Sequence, residues 1–358
     1  MAKKTGAPSF PIEALELVVR DLRAKIVSFE ELEAAGFPSS DLPFDLLVPV
    51  PQELGNDRPF AACKVQFSAI RGGTVITWAM SHSVGDGIGN NELFRVLSEE
   101  ARLAQEQQGK GASDEPRSEI VTADMGLDRS VLRSMNSEVP FDIKDHPAYT
   151  LESNSSANSQ PSDKSPTQLF EATAPEVPVL LPISAAGLAQ LKADATSPGA
   201  PAISTHDAMS ALIWQTALLI RSRRSCLSQD ALSSTTGSIF MPSDARRHLN
   251  LPSSYVGNAV YQLTAELDLG TLLSPSGLQH AANALRRAIR SVDPVLVGSY
   301  MVQLNQKWVD WGFMNAYSTT GVAMGSDWSG GVLYEQDWGE AFGPWLDIGI
   351  PVVDRLIV

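Results

Sequence analysis

Ser81-His82-Ser83-Val84-Gly85-Asp86-Gly87 sets a histidine four residues before an Asp-Gly pair, directly behind an apolar run from Thr74 to Met80. A neutral imidazole there can take a proton from an incoming hydroxyl or amine, which is the work of a general base in acyl transfer. Asp86 has two uses that spacing alone does not separate. It can bond the imidazole, or it can turn away and hold the loop through an arginine. Gly87 permits positive φ or a close backbone approach where strand gives way to helix. The plainer alternative is a hydrogen-bonded core histidine at a strand end. His-x-x-x-Asp-Gly arises by chance in roughly 2% of chains with so few histidines, so the surroundings decide.

Upstream, the residues read as a small αβ unit. Ala14 to Leu22 (ALELVVRDL) reads as a strand, and Ser28-x-x-Glu31 is a capping box opening a short helix through Leu32 that stops before Gly36-Phe37-Pro38. Cys63 to Ile70, the turn Arg71-Gly72-Gly73, and Thr74 to Met80 form a hairpin whose second strand delivers His82. From Gly87 onward Leu93, Val96, Leu97, Ala101 and Ala104 recur at helical spacing, and the helix is expected to dissolve into the polar run Gln105–Gly111.

Ser153 to Thr167 (SNSSANSQPSDKSPT) is too polar to pack and reads as a crossover between two halves. Beyond it, Ser184 to Ala195 carries a short helix. After Ile203-Ser204-Thr205-His206-Asp207 an apolar helix runs from Ala208 to about Arg223, with Thr205 or Asp207 as its cap. His206 is a second histidine to consider, although a His at a helix entrance more often caps or packs. Gly237 to Met241 and Gly331 to Gln336 read as strands and Leu278 to Ile289 as a helix.

The chain has 358 residues, 43% hydrophobic and 19% charged, enough for two domains. Its net charge of -14 provides no overall basic field for nucleic acid or anionic membrane, so neither is expected as a partner. An anionic substrate then needs a local basic pocket, for which Arg246 and Arg247 are candidates. Cys63 and Cys226 form no metal spacing or disulfide framework, and each reads as core or core margin. No metal is expected. The amino terminus carries no apolar leader and no run approaches a membrane span, which points to the cytoplasm.

Other motifs fail on inspection. Gly85-Asp86-Gly87-Ile88-Gly89-Asn90 nearly spells a dinucleotide-binding turn, but its sixth position is Asn90 and no second parallel strand with a ribose-binding acid follows. There is no Gly-x-Ser-x-Gly elbow, phosphate-cradling loop or His-Glu-x-x-His pair. Direct transfer without a covalent enzyme intermediate is the simpler chemistry.

In order along the chain, several blocks resemble the BAHD acyltransferases, and particularly the fungal branch of the trichothecene O-acetyltransferases. They are Phe29-Glu30-Glu31-Leu32 leading to Gly36-Phe37-Pro38, His82 to Gly87, and Ile203-Ser204-Thr205-His206-Asp207-Ala208 with Ile213-Trp214. Asp244-Ala245-Arg246 follows, then Pro252, Tyr255, Gly257 and Asn258, and finally Asp337-Trp338-Gly339. The resemblance implies an α/β fold of two chloramphenicol-acetyltransferase-like αβ domains, mixed sheets with flanking helices, around a central channel. The first would span 1–175, with a crossover linker from about 105 to 175, and the second 176–358. By the same resemblance His82 is the general base, while Asp86 turns from substrate to pair with Arg246. Gly87, Asp337 and Gly339 support the site's shape. Acyl-CoA, with acetyl as the acyl group, is the co-substrate, and a hydroxyl- or amine-bearing small secondary metabolite is the acceptor. The protein would act as a monomer.

Against the family's pattern the chain is shorter at both ends, Trp338 stands for Phe, Glu340 for Trp, and His206 for Asn. The resemblance therefore also implies missing terminal elements, as in a truncated or diverged relative. Two alternatives stay beside the acyltransferase. One is a condensation-domain-like enzyme forming amides or esters, although Ser81 stands where such enzymes carry a second His. The other is a relative that binds without turnover.

Overall fold

The computed structural model describes residues 16–38, 42–49, 63–80, 82, 84–108, 126–133, 138–149, 181–226, 228–306, 320–324 and 335–342. The chain divides into two compact units. One holds Met1–Leu127 with Val256–Asn258 and Gly331–Val358, and the other holds Asp128–Tyr255 and Ala259–Gly330. The Ser153–Thr167 tract and most of the strand expected over Gly331–Gln336 lie outside the described residues.

In the first unit, β1 (Glu16–Asp21), β2 (Cys63–Ile70) and β3 (Gly73–Met80) form a sheet in that order. β1 runs parallel to β2, and β2 antiparallel to β3. Parallel neighbours cannot be joined by a tight turn, so the chain between β1 and β2 crosses over through α1 (Phe29–Ala34) and α2 (Phe44–Leu47). The Ser28–Glu31 capping box forms in both directions: Ser28 Oγ accepts from Glu31 N, and Glu31 Oε2 accepts from Ser28 N. Leu32 enters a small core with Leu22, Ile26, Leu47 and Ile70. After β3, α3 (Gly87–Gln108) continues past the point where it was expected to dissolve. Glutamine is an adequate helix former, and Gln105 gains partners by staying helical. Its Nε2 donates to Ala101 O at 3.0 Å and to Trp338 O at 2.6 Å.

The second unit is built on α4 (Ser130–Arg133), α5 (Ala185–Ala195), α6 (Thr205–Arg224), α7 (Gln229–Ser234), β4 (Thr236–Asp244), β5 (Val260–Asp268), α8 (Leu269–Leu272), α9 (Gly277–Arg290), α10 (Pro294–Gln306) and β6 (Gly321–Ala323). Its sheet order is β5-β4-β6, antiparallel then parallel. The architecture is thus α/β with a mixed sheet in each unit and flanking helices. α6 is the core helix, burying Ala208, Ala211, Trp214 and Leu218 to 1% exposure or less. Burial of a leucine side chain such as that of Leu218 stabilises by about 1.5–3 kcal/mol.

The cap of α6 differs from the expected Thr205 or Asp207. Ser204 is the cap, its Oγ accepting from Asp207 N at 3.1 Å, and Asp207 reciprocates by accepting from Ser204 N at 2.6 Å. Asp207 is therefore the third helical residue of a capping box. Arg286 on α9 donates to the same carboxylate through Nε at 2.7 Å and through Nη2. A carboxylate with no exposure needs such partners, since an unpaired buried charge is costly. His206 bends toward Ser210 of its own helix, with Nε2 3.4 Å from Oγ.

The cysteines part company. Cys63 is half-buried in β2 and burial pushes its thiol up to about 11. Cys226, expected at the core margin, is exposed in the turn that ends α6, at φ 50°. It follows the last helical turn, where the chain leaves the packed face.

Candidate active site

Strand β3 ends at Met80 and α3 begins at Gly87, so the six-residue loop between them presents His82 at the strand exit, exposed to solvent. The local sequence builds this step through Asp86. Its backbone carbonyl accepts from Asn90 N at 2.8 Å, and its Oδ1 accepts from Gly89 N at 2.9 Å. These are the bonds of a helix cap. Asp86 is 4% exposed and ties the loop to the start of α3, a third use beyond the two considered from its spacing.

Gly85 and Gly89 are explained by a close approach. A Cβ on Gly85 would stand 2.4 Å from the carbonyl oxygen of Val256, and one on Gly89 would stand 2.1 Å from it. The glycines that resemble a phosphate turn make room for protein backbone. Two residues on, Asn258 Nδ2 donates to the backbone carbonyl of His82 at 2.6 Å. Val256 and Asn258 were not singled out from the sequence as parts of the His82 loop. The available signal was the pair Gly85 and Gly89, four apart at a helix start, which is the spacing of one face.

The segment from Gln336 to Phe342 buttresses the outer length of α3. Trp338, 2% exposed, meets Phe94 edge-on at 5.2 Å between ring centroids, and Phe94 meets Trp78 of β3 at 6.0 Å and 88°. Trp78 Nε1 also donates to Asn90 Oδ1. Gly339 adopts φ 83°, where a side chain is disfavoured, and a Cβ there would lie 2.7 Å from the Gln105 amide. Asp337 Oδ1 accepts from Gly339 N at 2.9 Å, closing a local turn, and Oδ2 lies 3.9 Å from Arg102 Nε. Gln105 Oε1 accepts from Ala341 N at 2.7 Å. These contacts shape the segment and hold it on α3.

In the second unit Arg246 sits in a 3₁₀ turn, 2% exposed. Its Nε and Nη2 donate to Tyr255 O at 3.0 and 2.8 Å, its Nη1 donates to Asp244 Oδ1 at 2.8 Å, and its guanidinium lies over the Tyr255 ring at 5.7 Å. Arg246 is therefore committed to the protein and is no solvent-facing half of a basic pocket, contrary to the sequence expectation for that residue, while Arg247 is exposed. The arginine-lined concavity lies elsewhere. Asn283, Arg286, Arg287 and Arg290 of α9, with Ser291 just after it, line a cleft of about 510 Å³ together with Ala200 and Pro201. Asn283 Nδ2 donates to Ser197 Oγ at 2.7 Å and Gln279 Nε2 to Asp194 O at 3.2 Å, fixing the preceding loop against α9.

Residues 39–343 match the Transferase family. The chain belongs to it, as a BAHD-type acyltransferase relative. It is 29% identical over 346 residues to the enoyl-CoA isomerase/hydratase claC of Penicillium crustosum, covering 93% of this chain and 36% of that protein. It is 30% identical over 291 residues to the O-acyltransferase pigD of Monascus ruber, covering 79% of this chain and 59% of that one. The chain thus spans well under two thirds of either relative. Among solved structures it resembles TRI101 of F. graminearum, complexed there with coenzyme A and deoxynivalenol, with a TM-score of 0.66 and 21% identity over 92% of this chain and 70% of that one. That likeness bears on the fold, and it agrees with the two αβ units and their mixed sheets. Among the described residues no helix is long and apolar enough to cross a membrane.

Proposed function

We propose that this protein transfers an acyl group, acetyl in the first instance, from acyl-CoA to a hydroxyl or amine of a small secondary metabolite, with His82 as general base. The observation that carries the reading is a solvent-exposed imidazole on a loop held by backbone and cap bonds, at the strand exit of a BAHD family member. His82 takes the proton of the acceptor as its oxygen or nitrogen attacks the thioester carbonyl. The tetrahedral oxyanion then collapses, the carbon–sulfur bond breaks, and the leaving CoA thiolate takes the proton back from the imidazolium. No covalent enzyme intermediate is required.

The name of claC specifies a CoA thioester and that of pigD specifies O-acyl transfer, which together support acyl-CoA as the donor. In a chain of net charge -14, the cleft presenting Arg287 and Arg290, beside an Arg286 that is bound to Asp207, is where we place the phosphates of CoA. Gly87, Asp337 and Gly339 are given supporting roles, and Asp86 is proposed to pair with Arg246 in addition to capping α3. In that case Asp86→Asn and Arg246→Gln lose less together than the sum of their separate losses in melting temperature, and strictly additive losses refute the pairing. The acyltransferase reading carries with it a cytoplasmic monomer.

The deciding experiment incubates the purified protein with acetyl-CoA and a panel of alcohols and amines while following free thiol and acylated product. Acceptor-dependent thiol release that His82→Ala abolishes supports the reading. Acceptor-dependent release that persists in a folded His82→Ala protein refutes His82 as the base.

A further inference from the structure

Val256–Asn258 is a three-residue excursion. By sequence it joins Tyr255 to Ala259 within the second unit, yet it packs in the first. Three contacts fix it there. The Val256 carbonyl fills the space over Gly85 and Gly89 that any side chain would close. Val256 N donates to Gly126 O at 3.1 Å. Asn258 Nδ2 reaches the His82 carbonyl at 2.6 Å, across 176 residues of sequence. The acceptor is a backbone oxygen, so the amide must present its nitrogen, and the donor is unambiguous. Among the described residues Asn258 is the side chain that holds His82.

We propose that Asn258 is the positioning residue of the catalytic loop: by bonding the His82 carbonyl it fixes the backbone from which the imidazole projects. The inference rests on the reading of His82 as the base. His82 is exposed to solvent, and the bond that fixes its loop is made to its backbone carbonyl. Asp86 secures the far end of the loop at α3, and Asn258 secures the end next to β3. Displacement of a catalytic group by about 1 Å can cost on the order of 100-fold in rate. A tether of the backbone carbonyl therefore matters to turnover without touching substrate.

Arg246 grips the carbonyl of Tyr255, the residue immediately before the excursion, with two donors. Tyr255 is thus anchored within the second unit.

Asn258→Asp is the informative change, since it keeps size and shape while replacing the donor with an oxygen that repels the carbonyl. Asn258→Ala removes the group, and Asn258→Gln keeps a donor on a longer stem. All are made in the full chain. Two measurements are taken: turnover and KM with acetyl-CoA from pH 5.5 to 9, and amide hydrogen exchange of the 82–89 and 63–80 segments by mass spectrometry. For the Asp and Ala changes we expect kcat to fall about 10- to 100-fold, with KM for acetyl-CoA moving less than about threefold. The acid limb of the pH profile should persist, because the base is still present. Exchange should quicken in 82–89 and hold in 63–80, and Asn258→Gln should recover most of the lost turnover. Unchanged exchange in 82–89 for Asn258→Asp overturns the proposal, as does faster exchange with wild-type kcat. If the wild-type protein transfers no acyl group at all, the acyltransferase reading fails separately, and the exchange data alone decide whether Asn258 holds the loop.

Discussion

His82 and His146 are the same residue held in opposite ways. His82 stands exposed at a strand exit with its backbone pinned. His146 has no exposure, and both ring nitrogens face partners, Nδ1 at 2.8 Å from the Tyr261 hydroxyl and Nε2 at 3.3 Å from Ser299 Oγ. Phe141 stacks on its ring at 4.8 Å and 11°. A proton carrier must be able to approach a substrate and change charge. A ring bonded on both sides in an aromatic core can do neither without breaking its surroundings. In one histidine the backbone is held, in the other the ring, and this is the difference that the proposed role of His82 as base requires.

The largest expected effect breaks the pair on the functional side. His82→Ala removes the base and little packing, so turnover should fall about 10²- to 10⁴-fold while the melting temperature stays close to wild type. His146→Ala should do the reverse. It opens a cavity among Phe141, Tyr149, Tyr261 and Tyr300 and strands the Tyr261 hydroxyl, for a loss of about 3 kcal/mol in unfolding free energy. Turnover per folded molecule should be unchanged. Urea titrations and single-substrate kinetics on both variants check this, and a stable but inactive His146→Ala protein would erase the distinction.

Sequence made the working side of this comparison legible and left the packing side hidden. The hairpin, the capping box at Ser28, the helix opening at Gly87 and the core helix after Ile203 all emerged from local pattern, because each is decided within a few residues. His82 emerged because its chemistry is a short linear motif. His146 did not, since its partners lie 115 and 153 residues away on β5 and α10. Neither of those elements was anticipated. β5 buries Tyr261, Gln262 and Leu263 in succession, which breaks the alternation expected of a half-buried strand. The tether from Asn258 is equally non-local. Arg246 and Arg287 show the limit for charge: both are arginines near polar residues in sequence, and only the fold buries the first and leaves the second at a cleft.

A smaller effect sharpens the same division between the reacting loop and the remainder of the molecule. Arg287→Glu with Arg290→Glu places two anions in the cleft, so KM for acetyl-CoA should rise about tenfold or more, with kcat at saturation little changed. Raising salt should weaken wild-type binding more than that of the variant. Initial rates against acetyl-CoA at two ionic strengths test it, and an unchanged KM would remove the cleft from the CoA path.

The smallest effect is a slope of stability against pH, and it arises at His146. Burial holds its pKa below the ordinary 6.5, opposed in part by the charges of Asp145 and Asp142. Tyr261, Tyr149, Tyr300 and Ser299 around the ring supply no countercharge near neutrality, and burial pushes Tyr261 up to about 12. The folded state therefore refuses a proton that the unfolded chain accepts. That contribution to stability is intact above about pH 6.5 and is lost as pH falls toward the depressed folded value, with at most one proton of slope, about 1.4 kcal/mol per pH unit. His248, lowered by burial and by Arg247, adds a slope of the same sign. Urea midpoints at pH 5, 6, 7 and 8 should thus fall on acidification in the wild type and fall less steeply in His146→Gln, the remainder being shared with His248 and the carboxylates. Parallel wild-type and His146→Gln curves would mean that His146 takes up its proton without unfolding, and that the ring is less firmly held than its contacts require.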